Sequence, residues 1–496
     1  MSAWLQGFAP IAILLVVVVL VVLRLPKIEI QHAPEFRRRR AMNWLPLGLT
    51  YSFLYMGRYN LTVAKSAFEN IKGAEAGVSL MGNDAFGIIF GVGTVIYGFS
   101  FVLNGPLTDR LGGRFSILAA SGGTAVTNLL MGGATWLLLA RGDSSEALAR
   151  HFTLVFSVLY GINMYFQSFG AVAIVKVNAA WFHVRERGVF GAIFGILISL
   201  GIYFAFDWGA AILKSFGLVE VFLVPAVVLI VLWIVDLKIV RDSPRDAGLT
   251  NFDTADASSG DDGPALKAVE VLKLMLRNPV IMTIAGIEFC SGFLRQAIMQ
   301  WYRTFAKQTD GSLHLAQDFV YKNWGLLLCC AGILGGVVAG VISDHVFHSR
   351  RGPVAGLLYA AMLVGSVLLL FVYDAGPVGG FYLQAWLVVV LSMAVIGVHG
   401  MLSGTASMDF GGTKNVGVAV GIIDGFVYLG TAVMSFTYGA LLPKEKLDEA
   451  GKIIGPATDP ANWRPWALAM IPVALLGTLL ARRVWHAKPA PKTKPA

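Results

Sequence analysis

Gly105-Pro-Leu-Thr-Asp-Arg-Leu-Gly-Gly-Arg114 is a short polar loop between two long apolar blocks, and Gly340-Val-Ile-Ser-Asp-His-Val-Phe-His-Ser-Arg-Arg-Gly352 is a second loop of the same kind. Asp109 in the first loop lies 51 residues after Arg58, and Asp344 in the second lies 49 residues after Arg295. Both of these arginines stand inside apolar blocks. The spacing predicts an internal duplication, in which each half contains an intramembrane arginine and an acidic loop.

A third pair of segments carries the same repeat. Gly188-Val-Phe-Gly-Ala-Ile-Phe-Gly-Ile-Leu-Ile-Ser-Leu-Gly201 and Gly417-Val-Ala-Val-Gly-Ile-Ile-Asp-Gly-Phe-Val-Tyr-Leu-Gly430 have glycines in the same frame at both ends. Together the three equivalences predict a chain made of two similar bundles. In transporters built from such repeats, the substrate site lies near the membrane midplane between the halves.

The composition is that of a membrane protein. Of the 496 residues, 56% are hydrophobic and 14% are charged, whereas a soluble protein carries about 25% charged residues. This excludes an ordinary soluble enzyme. Crossing a bilayer takes roughly 20 apolar residues, and on that basis we predict helical spans at 8–23, 43–64, 84–104, 115–139, 152–180, 188–206, 218–238, 279–302, 319–342, 353–373, 381–402, 416–440 and 465–481.

The net charge of +9 is unevenly distributed. A clear majority of the Lys and Arg residues fall on the side that holds Arg37 to Arg40, the Asp109 loop and the C-terminal tail. By the positive-inside rule this side is cytoplasmic, which places the N-terminus in the periplasm and the C-terminus in the cytoplasm. No small-residue cleavage site follows the first span, so we expect an uncleaved anchor and not a signal peptide.

The longest polar interruption, residues 240–264, is rich in Asp, Ser and Gly and predicts a linker. Within the linker region, Ala265 to Arg277 has a broad apolar face. This segment is either a helix on the membrane surface or an extension of the next span. The predicted organisation is an anchor with a basic segment (1–42), a six-helix bundle (43–239), a cytoplasmic linker (240–278), a second six-helix bundle (279–482) and a cytoplasmic tail (483–496).

Several motifs resemble those of the major facilitator superfamily. Asp109-Arg-Leu-Gly-Gly-Arg114 is similar to the signature between its second and third core helices. The motifs Arg58-Tyr-Asn-Leu, Tyr97-Gly-Phe-Ser100, Arg185-Glu-Arg-Gly188, Phe293-Leu-Arg295 and Tyr428-Leu-Gly430 resemble its organophosphate:phosphate antiporter branch, which includes bacterial glycerol-3-phosphate and hexose-phosphate transporters. The resemblance implies an all-α major facilitator fold in the bacterial inner membrane, with twelve core transmembrane helices in two halves and here one extra N-terminal helix.

Arg58 and Arg295 are the strongest candidates for the functional site. A guanidinium near the bilayer centre costs at least about 2.5 kcal/mol, so two at equivalent positions indicate a function. Guanidinium groups bind phosphate oxygens in a bidentate manner, and the resemblance implies a paired-arginine site. The alternative is structural: Glu288, two helical turns before Arg295, and Asp424 would neutralise the arginines and hold helices together.

Other polar residues lie within two turns of the arginines or on central helices, and are candidates for substrate contacts. They are Tyr55, Tyr59, Lys65, Asn163, Gln167, Gln296, Tyr302 and His399. Five charged residues at the cytoplasmic helix ends are predicted to act as conformational latches: Asp109, Arg110, Arg114, Asp344 and Arg351. Glu288 and Asp424 are candidates for proton or charge coupling, with a packing contact as the alternative for each.

Two positions depart from the pattern that the resemblance implies. Phe101 stands where a lysine is expected, and the segment Ile196-Leu-Ile-Ser-Leu200 lacks an expected histidine. The site therefore has fewer cationic groups and a more apolar wall. This argues against glycerol-3-phosphate and favours a phosphonate, a bulkier phosphorylated metabolite or another organic anion.

The predicted function is secondary transport that exchanges inorganic phosphate for an organophosphate by alternating access. Two alternatives remain open: a proton-coupled organic anion symporter, and a transporter-like membrane receptor for a phosphorylated metabolite. We expect neither enzymatic activity nor a cofactor or metal site, because the sequence shows no residue spacing typical of catalytic or metal-binding motifs. The expected partners are the anionic substrate, inorganic phosphate and the lipid bilayer, without nucleic acid, and we expect a monomer.

Overall fold

The computed structural model describes residues 33–75, 77–140, 142–183, 187–251, 254, 268–347 and 351–486. The predicted anchor span 8–23, residues 252–253 and 255–267 of the predicted linker, and the end of the C-terminal tail lie outside the described residues. The extra N-terminal helix therefore stays a prediction. The described part of the chain is mostly helical, as the sequence predicts.

Twelve long segments form the bundle, and we number them α1 to α12 in chain order. They are α1 (Pro34–Phe68), α2 (Asn83–Leu111), α3 (Gly113–Leu139), α4 (Phe152–Trp181), α5 (Arg187–Tyr203), α6 (Glu220–Ile239), α7 (Pro279–Gln308), α8 (Trp324–Val341), α9 (Arg351–Val372), α10 and α11 (two arms, Leu383–Ser403 and Val420–Leu441, of the helical stretch Leu383–Leu441) and α12 (Arg464–Arg483). Short helices are Gly209–Ser215, Asp143–Arg150, Ala268–Arg277, Asp310–Leu313 and Phe319–Lys322.

Irregular turns extend some of these helices. π-helical turns occupy Phe204–Trp208, which joins α5 to Gly209–Ser215, and Ile342–Val346, which follows α8; 3-10 turns occupy Arg245–Ala247, Leu315–Gln317, Gly455–Thr458 and Pro460–Trp463. The strands Lys446–Leu447 and Ile453–Ile454 pair antiparallel in the loop between α11 and α12.

Eleven helices in the described part are long and apolar enough to cross a membrane. α1 is not among them, although it contains the predicted span 43–64. Its apolar character is interrupted by the tyrosines around position 55 and by Arg58. α1, which carries Arg58, is therefore the one of the twelve long segments that is not apolar enough to count as a candidate span.

Residues 383–441 are helical throughout, whereas the sequence predicts two spans joined by a loop near Lys414. A straight helix would separate Ser403 from Asp424 by about 31 Å, because each residue adds 1.5 Å. Instead the Ser403 hydroxyl donates a hydrogen bond to Asp424 Oδ1 at 2.5 Å. The chain therefore reverses between these two residues, and α10 and α11 run antiparallel as two separate spans.

The apolar segment before α7 is a separate helix, Ala268–Arg277. Asn278 interrupts the helical conformation after it, and the Asn278 side chain accepts hydrogen bonds from the first amides of α7. Met275 packs against Ile281 of α7 and against Ile422 of α11. Of the two interpretations left open by the sequence, this geometry favours a distinct helix over a continuous extension of α7.

Close helix packing places α11 between α2 and α7. At Gly292 of α7, an added Cβ would lie 1.8 Å from the carbonyl oxygen of Val427, and at Gly430 it would lie 1.9 Å from that of Phe289. Backbone atoms cannot move aside as side chains can. These two glycines therefore allow α7 and α11 to approach closely, which brings Tyr428 towards the bundle centre.

We expect Gly430→Ala to destabilise the bundle by about 1–3 kcal/mol or more, because the new methyl group overlaps a backbone carbonyl. Thermal unfolding in detergent, followed by tryptophan fluorescence, measures this as a lower midpoint. Gly336→Ala in α8 is the matched control, since nothing lies within 4 Å of its added Cβ. Equal midpoints for the two variants would contradict the packing described here.

Candidate anion-binding site

Arg58 lies near the middle of α1 and is completely buried. Its backbone is held by α4, where the Tyr160 hydroxyl donates to the Arg58 carbonyl at 3.0 Å and Asn163 Nδ2 donates to the Gly57 carbonyl at 2.9 Å. Asn163 also accepts hydrogen bonds from Thr127 and Asn128. Asn163, a predicted substrate contact, thus braces the backbone beside Arg58.

The guanidinium of Arg58 connects the two halves of the chain. One terminal nitrogen donates to the Tyr428 hydroxyl of α11 at 2.9 Å, and the other donates to Gln167 Oε1 of α4 at 3.2 Å. Gln167 is fixed in turn because its Nε2 donates to the Leu54 carbonyl at 2.8 Å. Nε of Arg58 has no hydrogen-bond partner within the described residues.

Aromatic rings surround the Arg58 guanidinium. Its central carbon lies 4.6 Å from the ring centroid of Tyr55, 4.7 Å from Tyr97, 5.8 Å from Tyr428 and 5.9 Å from Tyr59. A ring face attracts a cation within about 6 Å, and this attraction is stronger away from water. The rings therefore offset part of the cost of burying this charge without neutralising it.

Arg295 occupies the equivalent position in α7 and is 5% exposed. Its Nε and one terminal nitrogen have no hydrogen-bond partner among the described residues. The adjacent Gln296 donates to the Tyr59 hydroxyl at 2.8 Å and so ties α7 to α1 beside the two arginines. Arg295 is thus a buried cation with unused donors.

In the described part of the chain, neither arginine forms an ion pair with a carboxylate. Glu288, which the structural alternative assigns to Arg295, lies 2.8 Å from His399 Nδ1 instead. Asp424 accepts a hydrogen bond from Ser403. The two carboxylates of the structural alternative, Glu288 and Asp424, therefore have other hydrogen-bond partners, and this arrangement argues against purely structural ion pairs.

A small cavity of about 40 Å³ is lined by Tyr55 and Tyr428, two of the tyrosines that contact the Arg58 guanidinium, but not by Arg58 itself. Its aromatic wall includes Tyr51, Tyr55, Phe101 and Tyr428, and its polar wall includes His399 and Asp424. Phe101 stacks on Tyr428 with ring centroids 5.7 Å apart. The replacement of an expected lysine by Phe101 thus gives the cavity an apolar face, in line with the sequence prediction.

Two other predicted contact residues lie away from the arginines. Tyr302 packs on Trp324, with ring centroids 4.6 Å apart. Lys65 is buried in an ion-pair network with Glu69 at 3.0 Å and Glu445 at 3.3 Å. Both positions lie at the end of the bundle where α1 and α7 finish.

We call this end of the bundle the closed end, and define it by Lys65, Glu69, Lys307, Gln308 and Glu445. Lys307 Nζ lies 2.6 Å from Glu69, and Gln308 Nε2 donates to both carboxylates, at 3.0 Å to Glu69 and 2.5 Å to Glu445. Burial raises the pKa of Glu445 and the nearby Glu69 adds to this, while Lys65 lowers it in part. The network joins the first half to the second.

A ladder of hydrogen bonds extends from this network towards the arginines. Besides the Tyr59–Gln296 contact, Thr62 bonds to Gln300, and Lys307 donates to the Ser66 carbonyl. The sequence prediction missed this network, since only Lys65 was singled out. The available signal was the set of charged residues at equivalent helix ends, Glu69 after α1 and Lys307 in α7.

Asp207 provides another contact between the halves. It lies in the π-helical turn after α5, and its two oxygens accept hydrogen bonds from the Gly325 and Leu326 amides at 2.8 and 2.9 Å. Those amides belong to the first turn of α8, where helix N–H groups lack intrahelical partners. A side chain of the first half thus caps a helix of the second.

The predicted latches lie at the opposite end of the bundle. Asp109 pairs with Lys176 at 2.8 Å. Arg114 donates through its side chain to the Leu237 carbonyl, and its amide donates to Asp242. Arg110 is exposed at the end of α2, Arg351 begins α9, and the side chain of Asp344 lies outside the described residues. The latch role stays a prediction.

The chain belongs to the Major Facilitator Superfamily, whose sequence profile matches residues 47–435. This confirms the superfamily predicted from the motifs. The fold is likewise similar to solved structures of a mutant nucleoside transporter NupG (TM-score 0.57, 15% identity, 90% of this chain and 98% of that one) and of a bacterial homologue of the human lysosomal transporter Spinster (TM-score 0.61, 13% identity, 92% and 97%).

Relatives by sequence match the predicted branch. The chain is 25% identical to the glycerol-3-phosphate transporter of Bacillus subtilis (strain 168), over 91% of this chain and 93% of that protein. It is 24% identical to the membrane sensor protein UhpC of Escherichia coli (strain K12), over 84% and 88%. It is also 22% identical to a probable hexose phosphate transport protein of Chlamydia pneumoniae, over 79% and 80%.

We expect Asp207→Ala to favour opening of the closed end. A helix cap contributes about 1 kcal/mol, which corresponds to about a fivefold change in the open-to-closed ratio. Val63 is 5% exposed at this end, so a cysteine at position 63, in a chain whose three native cysteines are replaced, reports opening by its rate of thiol labelling in detergent.

Asp318→Ala is the matched control, because Asp318 caps the Val320 amide within the second half. It removes a cap of the same kind without separating the halves. The labelling rate should rise with Asp207→Ala alone. A similar rate in both variants would show that the Asp207 cap does not hold the halves together.

Proposed function

We propose that this chain is a secondary transporter that exchanges inorganic phosphate for an organophosphate. The observation that carries the proposal is the pair Arg58 and Arg295, two buried guanidinium groups at equivalent positions without a carboxylate partner in the described structure. Each retains unused donors. A doubly charged phosphoryl group supplies both the negative charge and the acceptor oxygens that these groups lack.

The relatives support the same class of substrate. Their names include a glycerol-3-phosphate transporter and hexose phosphate transport proteins, and they align over most of this chain. The superfamily consists of transporters, so enzymatic chemistry is not expected of this fold. The phosphate counter-substrate is our inference from the exchange that a paired-arginine site favours.

The charge distribution suggests how the bundle is oriented. Basic residues concentrate on the side of the Asp109 loop, which the positive-inside rule assigns to the cytoplasm. The closed end, with its Lys65, Glu69 and Glu445 network, then faces the periplasm. In this orientation the cavity beside Tyr51 and Tyr55 lies on the cytoplasmic side of Arg58.

Substrate binding would couple to movement of the halves through Arg58. Its guanidinium contacts Tyr428 of α11 and Gln167 of α4, which belong to different halves. A phosphoryl group bound between Arg58 and Arg295 would compete for the same donors and draw α1 and α7 together. In the empty site neither arginine is ion-paired with a carboxylate among the described residues, so exchange of one anion for another is favoured over net transport.

The cavity lined by Phe101 suggests the chemical character of the organic part of the substrate. Its aromatic wall favours an apolar or ring-containing group, and Asp424 and His399 offer hydrogen bonds to hydroxyl groups. The missing lysine at position 101 removes one cation that could bind a second acidic group. We therefore favour a monophosphorylated sugar or a phosphonate over a substrate with additional carboxylates.

Proton coupling is a second candidate because Glu288, His399 and Asp424 lie close together. His399 contacts Glu288, and His399 and Asp424 line the same cavity. Intramembrane acids of this kind carry protons in other transporters. A receptor role is a third, and one relative is named a membrane sensor protein.

Counterflow in proteoliposomes separates these functions. Vesicles loaded with inorganic phosphate should take up labelled phosphate without a pH gradient. A symporter would require the gradient, and a receptor would take up nothing. Either of the last two results would refute the exchange proposal.

We expect Arg58→Lys and Arg295→Lys each to weaken phosphate binding by about tenfold or more, because loss of a charge-assisted hydrogen bond costs about 1.5–3 kcal/mol. The concentration dependence of phosphate counterflow measures the change. Arg150→Lys is the control, since Arg150 is exposed in a short helix away from the site. Unchanged affinity in both site variants would assign the arginines a structural role.

A further inference from the structure

A second cavity, which has a polar lining and a volume of about 170 Å³, lies between the two halves near the closed end. It is bordered by α1, by the helix Gly209–Ser215 that continues α5, by α7, and by the segment before α8. The lining residues that matter here are Thr62, Ser66, Lys214, Arg303, Thr304 and Lys307. None of the three cations among them is a predicted site residue.

The lining of this cavity is electropositive. Lys214, Arg303 and Lys307 contribute three positive charges, and Glu69 is the one carboxylate among the described residues that line it. Glu69 is already held by Lys65 at 3.0 Å and by Lys307 at 2.6 Å. Among the lining residues the charges of Lys214 and Arg303 are left over, and Asp207, which does not line the cavity, interacts electrostatically with Arg303.

Arg303 is oriented by an aromatic ring. Its guanidinium carbon lies 4.8 Å from the ring centroid of Tyr321, so one face of the guanidinium plane is covered. The donors along the edges remain available, and an edge is the part of a guanidinium that binds phosphate in a bidentate manner. The hydroxyl of Thr304 borders the same space.

The cavity lies directly next to the ladder that leads to the arginine pair. Thr62 and Gln300, which hydrogen-bond to each other, are both lining residues. One turn further along α1 and α7, Tyr59 bonds to Gln296, and the next residues are Arg58 and Arg295. Opening of these two contacts would connect the cavity with the pair.

We propose that this cavity is a second anion site, which binds the phosphoryl group before it reaches Arg58 and Arg295. A water molecule occupies about 30 Å³ in the liquid, so the cavity has room for an anion of about the size of phosphate. The staging role rests on the proposed transport function. Lipid headgroups also carry an anionic phosphate group, so a phospholipid and a soluble phosphate are two sources of the same ligand.

The first test is transport kinetics with inorganic phosphate. Arg303→Gln should raise the KM of phosphate counterflow about tenfold, because one charge-assisted hydrogen bond is lost, and should leave the maximal rate nearly unchanged. Lys444→Gln is the matched control at the same end, since Lys444 is 70% exposed and pairs with Asp84 outside the cavity. An unchanged KM in Arg303→Gln would overturn the staging site.

The second test does not depend on transport. The variant Arg58→Ala/Arg295→Ala in detergent should retain weak binding of inorganic phosphate by calorimetry, and adding Arg303→Gln should abolish it, with thermal unfolding confirming that both variants are folded. Absence of residual binding would overturn the second site. If residual binding persists but the native protein shows no counterflow, the transport proposal fails while the anion site stands.

The source of the phosphate is tested by adding phosphatidylglycerol to the detergent micelles of the Arg58→Ala/Arg295→Ala variant. Residual phosphate binding that is unaffected by the lipid supports a site for the soluble anion. Competition by phosphatidylglycerol would overturn the staging role and assign the cavity to a lipid headgroup.

Discussion

Two buried guanidinium groups, neither of them ion-paired with a carboxylate among the described residues, are the constraint on which the rest of the structure depends. Each costs at least about 2.5 kcal/mol by insertion scales. Around Arg58 the cost is reduced by four tyrosine rings and by hydrogen bonds to Gln167 and Tyr428. Tyr428 reaches Arg58 because α11 packs closely against α7, which requires glycine at positions 292 and 430. The close packing of α11 against α7 therefore supplies one of the contacts that stabilise the buried charge of Arg58.

Charged residues at the two ends of the bundle make different contacts. At the closed end, buried ion pairs and an inter-half helix cap join the first half to the second, through Lys65, Glu445 and Asp207. At the opposite end, the pair of Asp109 with Lys176 lies within one half. Contacts across the seam resist separation of the halves, so the closed-end network and the Asp207 cap stabilise this arrangement of the bundle.

Length and apolar composition predict the helices, motifs predict the superfamily, and the internal repeat predicts that Arg58 and Arg295 are equivalent, because all of these can be read directly along the chain. Contacts between distant segments were not predictable in this way. Tyr428 lies 370 residues from Arg58, and Glu445 lies 380 residues from Lys65. Lys65, a candidate for substrate contact from the sequence, forms ion pairs with two buried carboxylates. The reversal between α10 and α11 lies within one continuous helical stretch, Leu383–Leu441, and the Ser403–Asp424 contact reveals it.

The central claim is that Arg58 and Arg295 bind the same anion, and a double-mutant cycle of phosphate affinity tests it most directly. Calorimetry on the native protein, Arg58→Lys, Arg295→Lys and the double variant gives the coupling free energy. If both groups hold one phosphate, the losses are non-additive, with coupling of about 1.4 kcal/mol or more, a tenfold effect. Additive losses, or no change in affinity, would contradict a shared site.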